Sequence, residues 1–306
     1  MKRPVAAHDA ARHRKRATIA LIAALYLFAF AVGGVLFFMI PGDVVLRAFL
    51  ADVAMTLIVW IASLFVKNAS VYDPYWSVVP PFLLLLAVID AGAVHATMTM
   101  LYLAVLIWAV RLTGNWASWW TDFSEQDWRY DMFQQKAPRL WPLVSFFGIM
   151  FFPTLIVFAQ LIVPLRMALT TTGGAWAYLG ASIILLGVFL QWLSDRQMAA
   201  FRRRNRGCKA CIEEGLWRYS RHPNYFGEIT VWWGVYVASI GFAGPIGFHL
   251  LAPIAMTCMF LFISIPMMEK KILATRPAYA DYQKRVSILL PFFRHGGDEP
   301  LPQKTE

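Results

Sequence analysis

Residues 18–40 read TIALIAALYLFAFAVGGVLFFMI, an apolar run that no charged side chain interrupts. A helix needs about 20 such residues to cross the hydrocarbon core of a bilayer, so this run predicts a transmembrane helix. The run is longer than the apolar core of a cleaved signal peptide, which has about 7–15 residues, and no A-x-A-like site ends it. We therefore expect a permanent membrane span.

The same apolar character extends over the whole chain of 306 residues. Hydrophobic residues make up 59% and charged residues 15%, with a mean hydropathy of +0.54. Soluble domains average about 45–50% apolar and about 25% charged residues, so the composition argues against a soluble protein. The apolar content excludes a disordered chain, and three cysteines exclude a disulfide scaffold. We expect an all-α fold, a polytopic membrane helix bundle.

Eight apolar segments predict membrane spans, although a bundle of seven also fits the pattern. They cover residues 18–40, 48–66, 75–91, 96–113, 141–165, 175–194, 224–243 and 247–268. The third segment contains Pro80 and Pro81, which we expect to bend it. Because proline leaves backbone carbonyl groups without partners, this segment should face protein or water and not lipid.

The net charge of +10 is explained by membrane topology. All but two of the 28 Lys and Arg residues fall in the termini or in the links after spans 2, 4 and 6; the exceptions are Arg47 and Arg166. Cytoplasmic loops carry an excess of Lys and Arg, so this split predicts that both termini are cytoplasmic. Since topology accounts for the basic charge, we do not expect nucleic acid as a partner.

The most informative segment, residues 221–228, reads RHPNYFGE. Proline suits the first position of a helix, so we expect the seventh span to begin at Pro223, with free N–H groups that favour an anion. Helical spacing places Asn224 and Glu228 on one face. A carboxylate within an apolar span is costly without a partner and marks a candidate functional site. In the structural alternative, His222 and Asn224 cap the helix and Glu228 forms an ion pair.

Residues 215–228 read GLWRYSRHPNYFGE and precede a tryptophan-rich span. This string resembles the C-terminal half of the steroid 5-alpha-reductase-like membrane proteins, and most closely their bacterial branch. A similar turn occurs in sterol reductases, and an RHP-x-Y-x-G turn occurs in isoprenylcysteine carboxyl methyltransferases. The resemblance covers residues 105–293. It implies a membrane enzyme, in a bacterial inner membrane, that uses NADPH to reduce a carbon–carbon double bond in a lipid such as a steroid or isoprenoid enone.

The resemblance also implies an NADPH site at the cytoplasmic face. The residues that it implies for this site are Asp195, Arg202, Asn224, Glu228, Glu269, Arg276, Tyr279 and Tyr282. It divides the chain into a basic N-terminus (1–17), spans on the substrate side (18–113) and a C-terminal reductase-like module with cytoplasmic loops (114–306).

Other residues near these positions complete the expected cofactor site. Around the RHPNYFGE turn they are Arg218, Arg221, His222 and Tyr225. In the link after the fourth span, Arg111 and Asn115 share a helical face, and Arg129 can pair with Asp127. Ion-paired loop packing without a cofactor is the alternative for this link.

Reduction of an enone needs a hydride at the β-carbon and a group that polarises the carbonyl or protonates the enolate. Residues 68–76 read NASVYDPYW, at the cytoplasmic start of the third span, and offer Tyr72, Asp73 and Tyr75 as catalytic candidates. Aromatic residues also gather at membrane interfaces for structural reasons, which is the alternative explanation.

Electrostatics favours NADPH, because its phosphates are negative and the loop around residues 202–221 is rich in arginine. Glu228 could instead face the sulfonium of S-adenosylmethionine, so a methyltransferase stays open, as does a non-enzymatic membrane protein. We expect no metal site, since the pair Cys208 and Cys211 lacks two further ligands. The expected partners are a lipid-like substrate and the bilayer, and the oligomeric state stays undetermined.

Overall fold

The computed structural model describes residues 5–170 and 174–291, and the regular elements in these ranges are helices. The α-helices are α1 (Val5–Met39), α2 (Val44–Val66), α3 (Tyr75–Ala91), α4 (Ala96–Trp119), α5 (Trp128–Lys136), α6 (Trp141–Val144), α7 (Phe152–Met167), α8 (Gly174–Arg204), α9 (Pro223–Ala243), α10 (Leu251–Met259), α11 (Ile265–Thr275) and α12 (Tyr279–Arg285). Single 3-10 turns lie at Ala69–Tyr72, Pro138–Leu140, Gly215–Arg218 and Phe248–Leu250, and π-helical segments at Ser145–Phe151 and Phe260–Ser264. Four of the basic residues that we assigned to cytoplasmic termini lie outside the described residues: Lys2, Arg3, Arg294 and Lys304.

Seven helical segments of the described chain are long and apolar enough to cross a membrane, by length and composition. They are Asp9–Met39, Val44–Val66, Ala69–Ala91, Ala96–Trp119, Pro138–Met167, Gly174–Arg204 and Phe248–Thr275. The expected all-α polytopic membrane bundle is therefore confirmed. The segment with two prolines is the most buried of the seven, with 56% of its apolar window inside the protein, and α3 is continuous through Pro80 and Pro81.

The remaining predicted span, 224–243, corresponds to α9 and is not among the seven. Its 21 residues form a helix about 31 Å long, which matches the thickness of a bilayer core. However, α9 packs along α8 and also contacts α4, α7 and α10. Because protein covers so much of its surface, α9 tolerates polar residues that a lipid-facing helix would not.

Glycines allow α8 and α9 to pack backbone against backbone. A Cβ added to Gly187 would lie 2.6 Å from the carbonyl oxygen of Gly227, and one added to Gly234 would lie 2.7 Å from Cγ1 of Ile184. Small residues at such a contact permit close helix approach in membranes. The contact of Gly227 with Gly187 and Gln191 fixes the start of α9 beside the middle of α8.

Two helices extend well beyond the predicted spans on the expected cytoplasmic side. The fourth span was expected to end at residue 113 and the sixth at residue 194, whereas α4 continues to Trp119 and α8 to Arg204. With 31 residues, α8 is about 46 Å long, longer than the roughly 30 Å hydrocarbon core. The polar ends of both helices therefore project from the membrane and border the candidate site.

Candidate cofactor site

A cavity of about 460 Å³ lies at one end of the bundle, between the last turns of α8, the start of α9 and the segment α11–α12. Most of the residues expected to bind a cofactor line it: Asp195, Arg202, Arg221, His222, Asn224, Tyr225, Arg276, Tyr279 and Tyr282. The cavity also uses residues outside that prediction, among them Trp119, Met198 and Lys271. Segments that are distant in sequence thus converge on one space.

Positive charge dominates this cavity. Asp195 is the only carboxylate among its described lining residues, and Arg111 holds it in an ion pair. Arg202 stacks over the ring of Trp119 at 5.3 Å and feels the like charge of Arg276. The Nε of Arg276 is buried and has no hydrogen-bond partner among the described atoms. An excess of guanidinium groups with unused donors suits phosphate, which accepts charge-assisted hydrogen bonds.

Glu269 lies behind the cavity wall and holds it together. Its carboxylate shares a 3.0 Å hydrogen bond with Nε2 of His222 and accepts bonds from Tyr279 Oη at 3.1 Å and Gln283 Nε2 at 2.7 Å. Nε of Arg221 lies 3.1 Å from the same carboxylate. Burial and the nearby carboxylate raise the pKa of the Tyr279 hydroxyl, which therefore stays protonated. Glu269 positions lining residues and is not itself in the lining.

The C-terminal stretch closes over the loop that precedes α9. Tyr282 Oη donates to the carbonyl oxygen of Trp217, and Arg221 donates a side-chain N–H to the carbonyl of Gln283 at 3.0 Å. The backbone adds an N–H bond from Arg221 to Ser287 at 2.9 Å. These bonds hold the C-terminal stretch against the loop that precedes α9.

The turn itself forms as the sequence predicts, since α9 begins at Pro223. His222 occupies the N-cap position, yet its side chain makes no capping hydrogen bond. Its ring instead stacks on Tyr225 with the centroids 5.4 Å apart, and Tyr225 packs on Phe260 at 4.9 Å. The capping alternative for His222 is therefore wrong, because its Nε2 forms a hydrogen bond with Glu269 and its side chain does not cap α9.

Glu228 is buried one turn further along α9 and does not line the cavity. It accepts hydrogen bonds from Trp108 Nε1 at 3.1 Å and Trp232 Nε1 at 2.9 Å, and also from Gln191. Gln191 in turn accepts from Arg111 at 2.8 Å. These neutral donors, and not the arginine partner of the structural alternative, satisfy the carboxylate, and the chain of contacts leads through Arg111 to Asp195.

Arg111 and Asn115 line a neighbouring cavity of about 610 Å³ between the ends of α4 and α8. The two cavities share Trp119, Asp195 and Arg202. The predicted helical face of Arg111 and Asn115 is therefore adjacent to the first cavity and not part of its wall.

Besides Glu228 and Glu269, two further predicted cofactor residues lie outside both cavities. Arg129 pairs with Asp127 at 2.8 and 3.0 Å, the local pair expected from the sequence, and Arg218 lies over the ring of Tyr219 at 5.9 Å. The helix of Arg129 still reaches the site, because its first residue, Trp128, lines the cavity.

The expected catalytic residues lie deeper, near the start of α3. Tyr75 Oη donates to Oδ1 of Asp52 at 2.9 Å, and Tyr72 Oη bonds Oγ1 of Thr154 at 2.8 Å. Asp73 accepts a 2.7 Å hydrogen bond from Tyr130. None of Tyr72, Asp73 and Tyr75 is among the described residues that line either cavity.

Asp52 is the functional candidate that sequence reasoning missed. It lies in the middle of α2 and is only 2% exposed. The rule that drew attention to Glu228, a carboxylate within an apolar span, applies equally to Asp52 and could have found it. The sequence analysis selected its partner Tyr75 as a catalytic candidate, but no local sequence pattern indicates that Tyr75 forms a hydrogen bond with Asp52.

The chain is 25% identical over 265 residues to an uncharacterized protein of Schizosaccharomyces pombe, covering 76% of each chain. It is 30% identical over 118 residues to the steroid 5-alpha-reductase DET2 of Arabidopsis thaliana, covering 38% of this chain and 42% of the plant protein. No solved structure matches.

The similarity to the plant steroid 5-alpha-reductase supports a loose relationship with steroid reductase-like membrane proteins, as the RHPNYFGE turn led us to expect. The bacterial branch and the link to isoprenylcysteine methyltransferases stay predictions. Residues 59–286, which contain every described residue that lines the two cavities, match the profile of a family described as "Protein of unknown function (DUF1295)". This chain belongs to the DUF1295 family.

Proposed function

We propose that this chain is a membrane-embedded reductase that uses NADPH to reduce a carbon–carbon double bond in a lipid, such as a steroid or isoprenoid enone. The observation that carries the proposal is the excess of positive charge in the 460 Å³ cavity: Arg202, Lys271 and Arg276 form no ion pair with a described residue, and the lining carboxylate of Asp195 is already paired with Arg111. The similarity to the plant steroid 5-alpha-reductase supports the reaction class.

The residues present fit a phosphate-bearing nucleotide. Arg202 and Arg276 repel each other in the cavity without a ligand, and a phosphate between them would relieve this repulsion. The buried Nε of Arg276 would also gain an acceptor. S-adenosylmethionine carries a net positive charge, so the same arginines disfavour it. When bound, NADPH supplies the hydride for the β-carbon of the enone.

For the proton, the favoured group is the phenol of Tyr75. It lies between Asp52, its acceptor at 2.9 Å, and Thr56, which donates to it at 3.2 Å. Both neighbours are buried, so bulk water is excluded from this hydroxyl, and a substrate carbonyl would take the place of Asp52 as the acceptor of its proton. Tyr72, whose ring lies 5.2 Å from that of Tyr75, supports the same network through Thr154.

Asp73 connects this network to the cofactor cavity. It accepts from Tyr130 on α5, and the first residue of α5, Trp128, lines the cavity and carries Lys271 over its ring at 4.1 Å. We assign Asp73 a positioning role on this basis. The charge split between the loops supports cytoplasmic termini, which would open the cavity to the compartment that holds NADPH.

The test is the thermal stability of the detergent-purified protein with NADPH, NADH or S-adenosylmethionine added separately. A ligand at about 100 times its dissociation constant stabilises by roughly 2.7 kcal/mol, which shifts the melting temperature measurably. We expect NADPH to raise it and S-adenosylmethionine to have no effect. A shift with S-adenosylmethionine alone would overturn the reductase proposal, and a shift with NADPH justifies a screen for enone-dependent NADPH oxidation.

A further inference from the structure

The second cavity, of about 610 Å³, contains three arginines that the proposed reaction does not use. Arg196 and Arg203 lie on the side of α8 that faces the end of α4, and Arg206 lies in the turn that follows α8. The residues that α8 and this turn contribute follow each other at intervals of three, apart from the adjacent pairs Asp195–Arg196 and Arg202–Arg203: Trp192, Asp195, Arg196, Ala199, Arg202, Arg203 and Arg206. This spacing makes one continuous helical face, so the groove is a basic strip and not scattered loop charge.

The charge of this strip is not balanced within the described chain. Asp195 is the only described carboxylate in the lining, and Arg111 already engages it. Arg196 lies over the ring of Trp192 at 5.2 Å, and neither it nor Arg203 nor Arg206 forms an ion pair with another described residue. The groove therefore presents three guanidinium groups that suit an anion.

Apolar surface leads directly into the same groove. On α8, the exposed side chains of Leu185, Phe189 and Trp192 precede Arg196 at the same helical spacing. On α4, Ile107 lies one turn before Arg111 and is 48% exposed. The groove thus joins lipid-facing apolar residues at one end to arginines at the other.

Trp192 marks the boundary between these two zones, and Trp119 lies within the basic zone, against Arg202. Trp119 is 58% exposed and Trp192 is 44% exposed, and both line the groove. Tryptophan is enriched at the level of lipid headgroups, because its ring is apolar and its N–H is polar. A lipid that enters this groove along α8 therefore meets apolar surface, the ring of Trp192 and guanidinium groups in that order.

We infer that this groove binds an anionic phospholipid, with the phosphate headgroup against Arg196, Arg203 and Arg206 and an acyl chain along Leu185 and Phe189. Basic pockets between membrane helices on the cytoplasmic side are the type of site that holds such headgroups. The inference does not depend on the reductase proposal, because none of these five residues lines the cofactor cavity.

The test measures lipid binding by native mass spectrometry in detergent. The probes are phosphatidylglycerol and phosphatidylcholine with the same acyl chains. The wild-type protein should retain phosphatidylglycerol in preference to phosphatidylcholine, and the triple variant Arg196→Gln, Arg203→Gln, Arg206→Gln should lower that preference roughly tenfold or more. Arg202 is kept, because it also lines the cofactor cavity.

A matched control removes three exposed charges elsewhere. The variant Lys136→Gln, Arg139→Gln, Lys209→Gln has the same net charge as the groove variant, and its positions lie outside both cavities. It should keep the preference for phosphatidylglycerol. An equal loss of preference in the control would overturn the inference, because net charge alone would then explain lipid binding.

A second variant separates lipid binding from folding. Changing the same three arginines to lysine keeps the charge, so this variant should retain most of the preference. If the lysine variant binds phosphatidylglycerol no better than the glutamine variant while its melting temperature equals that of the wild type, the headgroup assignment is wrong. It is also wrong if the glutamine variant keeps phosphatidylglycerol but loses discrimination between NADPH and NADH, since the arginines would then serve the cofactor.

Discussion

Arg276→Gln is the substitution that most directly separates a cofactor site from a structural cluster. Arg276 feels the like charge of Arg202, and its buried Nε has no hydrogen-bond partner in the described chain. A side chain that only stabilised the fold would have a hydrogen-bond partner for this buried N–H. We therefore expect Arg276→Gln to leave the melting temperature of the ligand-free protein unchanged or to raise it, because the repulsion from Arg202 is removed.

The same substitution should weaken NADPH binding strongly. A hydrogen bond to a charged group contributes about 1.5–3 kcal/mol, and each 1.4 kcal/mol corresponds to a factor of about ten in Kd. Loss of one guanidinium–phosphate contact should therefore raise the Kd for NADPH by about 10–150-fold. The Kd can be followed by the quenching of tryptophan fluorescence, since Trp119, Trp128 and Trp217 line the cavity.

The matched control is Arg204→Gln. Arg204 pairs with Glu214 on the surface and lies outside both cavities. Exposed pairs contribute about 0–1 kcal/mol, so this variant should change neither the melting temperature nor the Kd by much. If Arg276→Gln lowers the melting temperature and leaves the Kd for NADPH at the wild-type value, Arg276 is structural and the electrostatic reasoning is refuted.

The other predictions concern the buried network and the cavity thiol. Tyr75→Phe should lower turnover of an enone substrate by about 10²–10⁴-fold, the range for loss of a general acid, while the Kd for NADPH stays unchanged; an unchanged kcat would remove Tyr75 from catalysis. Glu228→Ala should lower the melting temperature, because the buried indole N–H groups of Trp108 and Trp232 lose their acceptor at about 1–3 kcal/mol each; calorimetry that shows no change would mean that these donors find new partners. Burial raises the pKa of the Cys211 thiol, so its thiolate is scarce near neutral pH and its alkylation should rise only as the pH increases toward that raised value. NADPH should slow this alkylation, measured by peptide mass spectrometry, and equal rates with and without NADPH would count against occupancy of the cavity.

Much of the fold follows from local sequence properties. Hydropathy identified all seven helical segments of the described chain that can span a membrane. This works because the apolar character of a segment depends only on a run of neighbouring residues. The start of α9 at Pro223 was predicted for the same reason, because the preference of proline for the first helical turn is local. The ends of α4 and α8 were predicted too early, because charged and polar residues end an apolar run without ending a helix.

Part of the cavity lining was selected from the sequence, whereas the partners of the buried carboxylates were not. Resemblance and spacing selected nine residues that line one cavity, from Asp195 to Tyr282. The same reasoning placed Glu228 and Glu269 among the cofactor ligands, whereas both carboxylates point to protein partners behind the wall. A sequence pattern can show that a buried carboxylate needs partners, but not which donors reach it.

The amino-acid sequence therefore determines the class of this protein, a helical membrane bundle, and the start of α9 at Pro223. These properties depend on transfer energies and helix geometry, which act over one or a few turns. Tertiary structure alone decides that Trp108 meets Glu228 across a sequence separation of 120 residues, that Asp52 receives the hydroxyl of Tyr75, and that Arg202 faces Arg276. These contacts depend on how separate helices pack, and helix packing is a property of the whole chain.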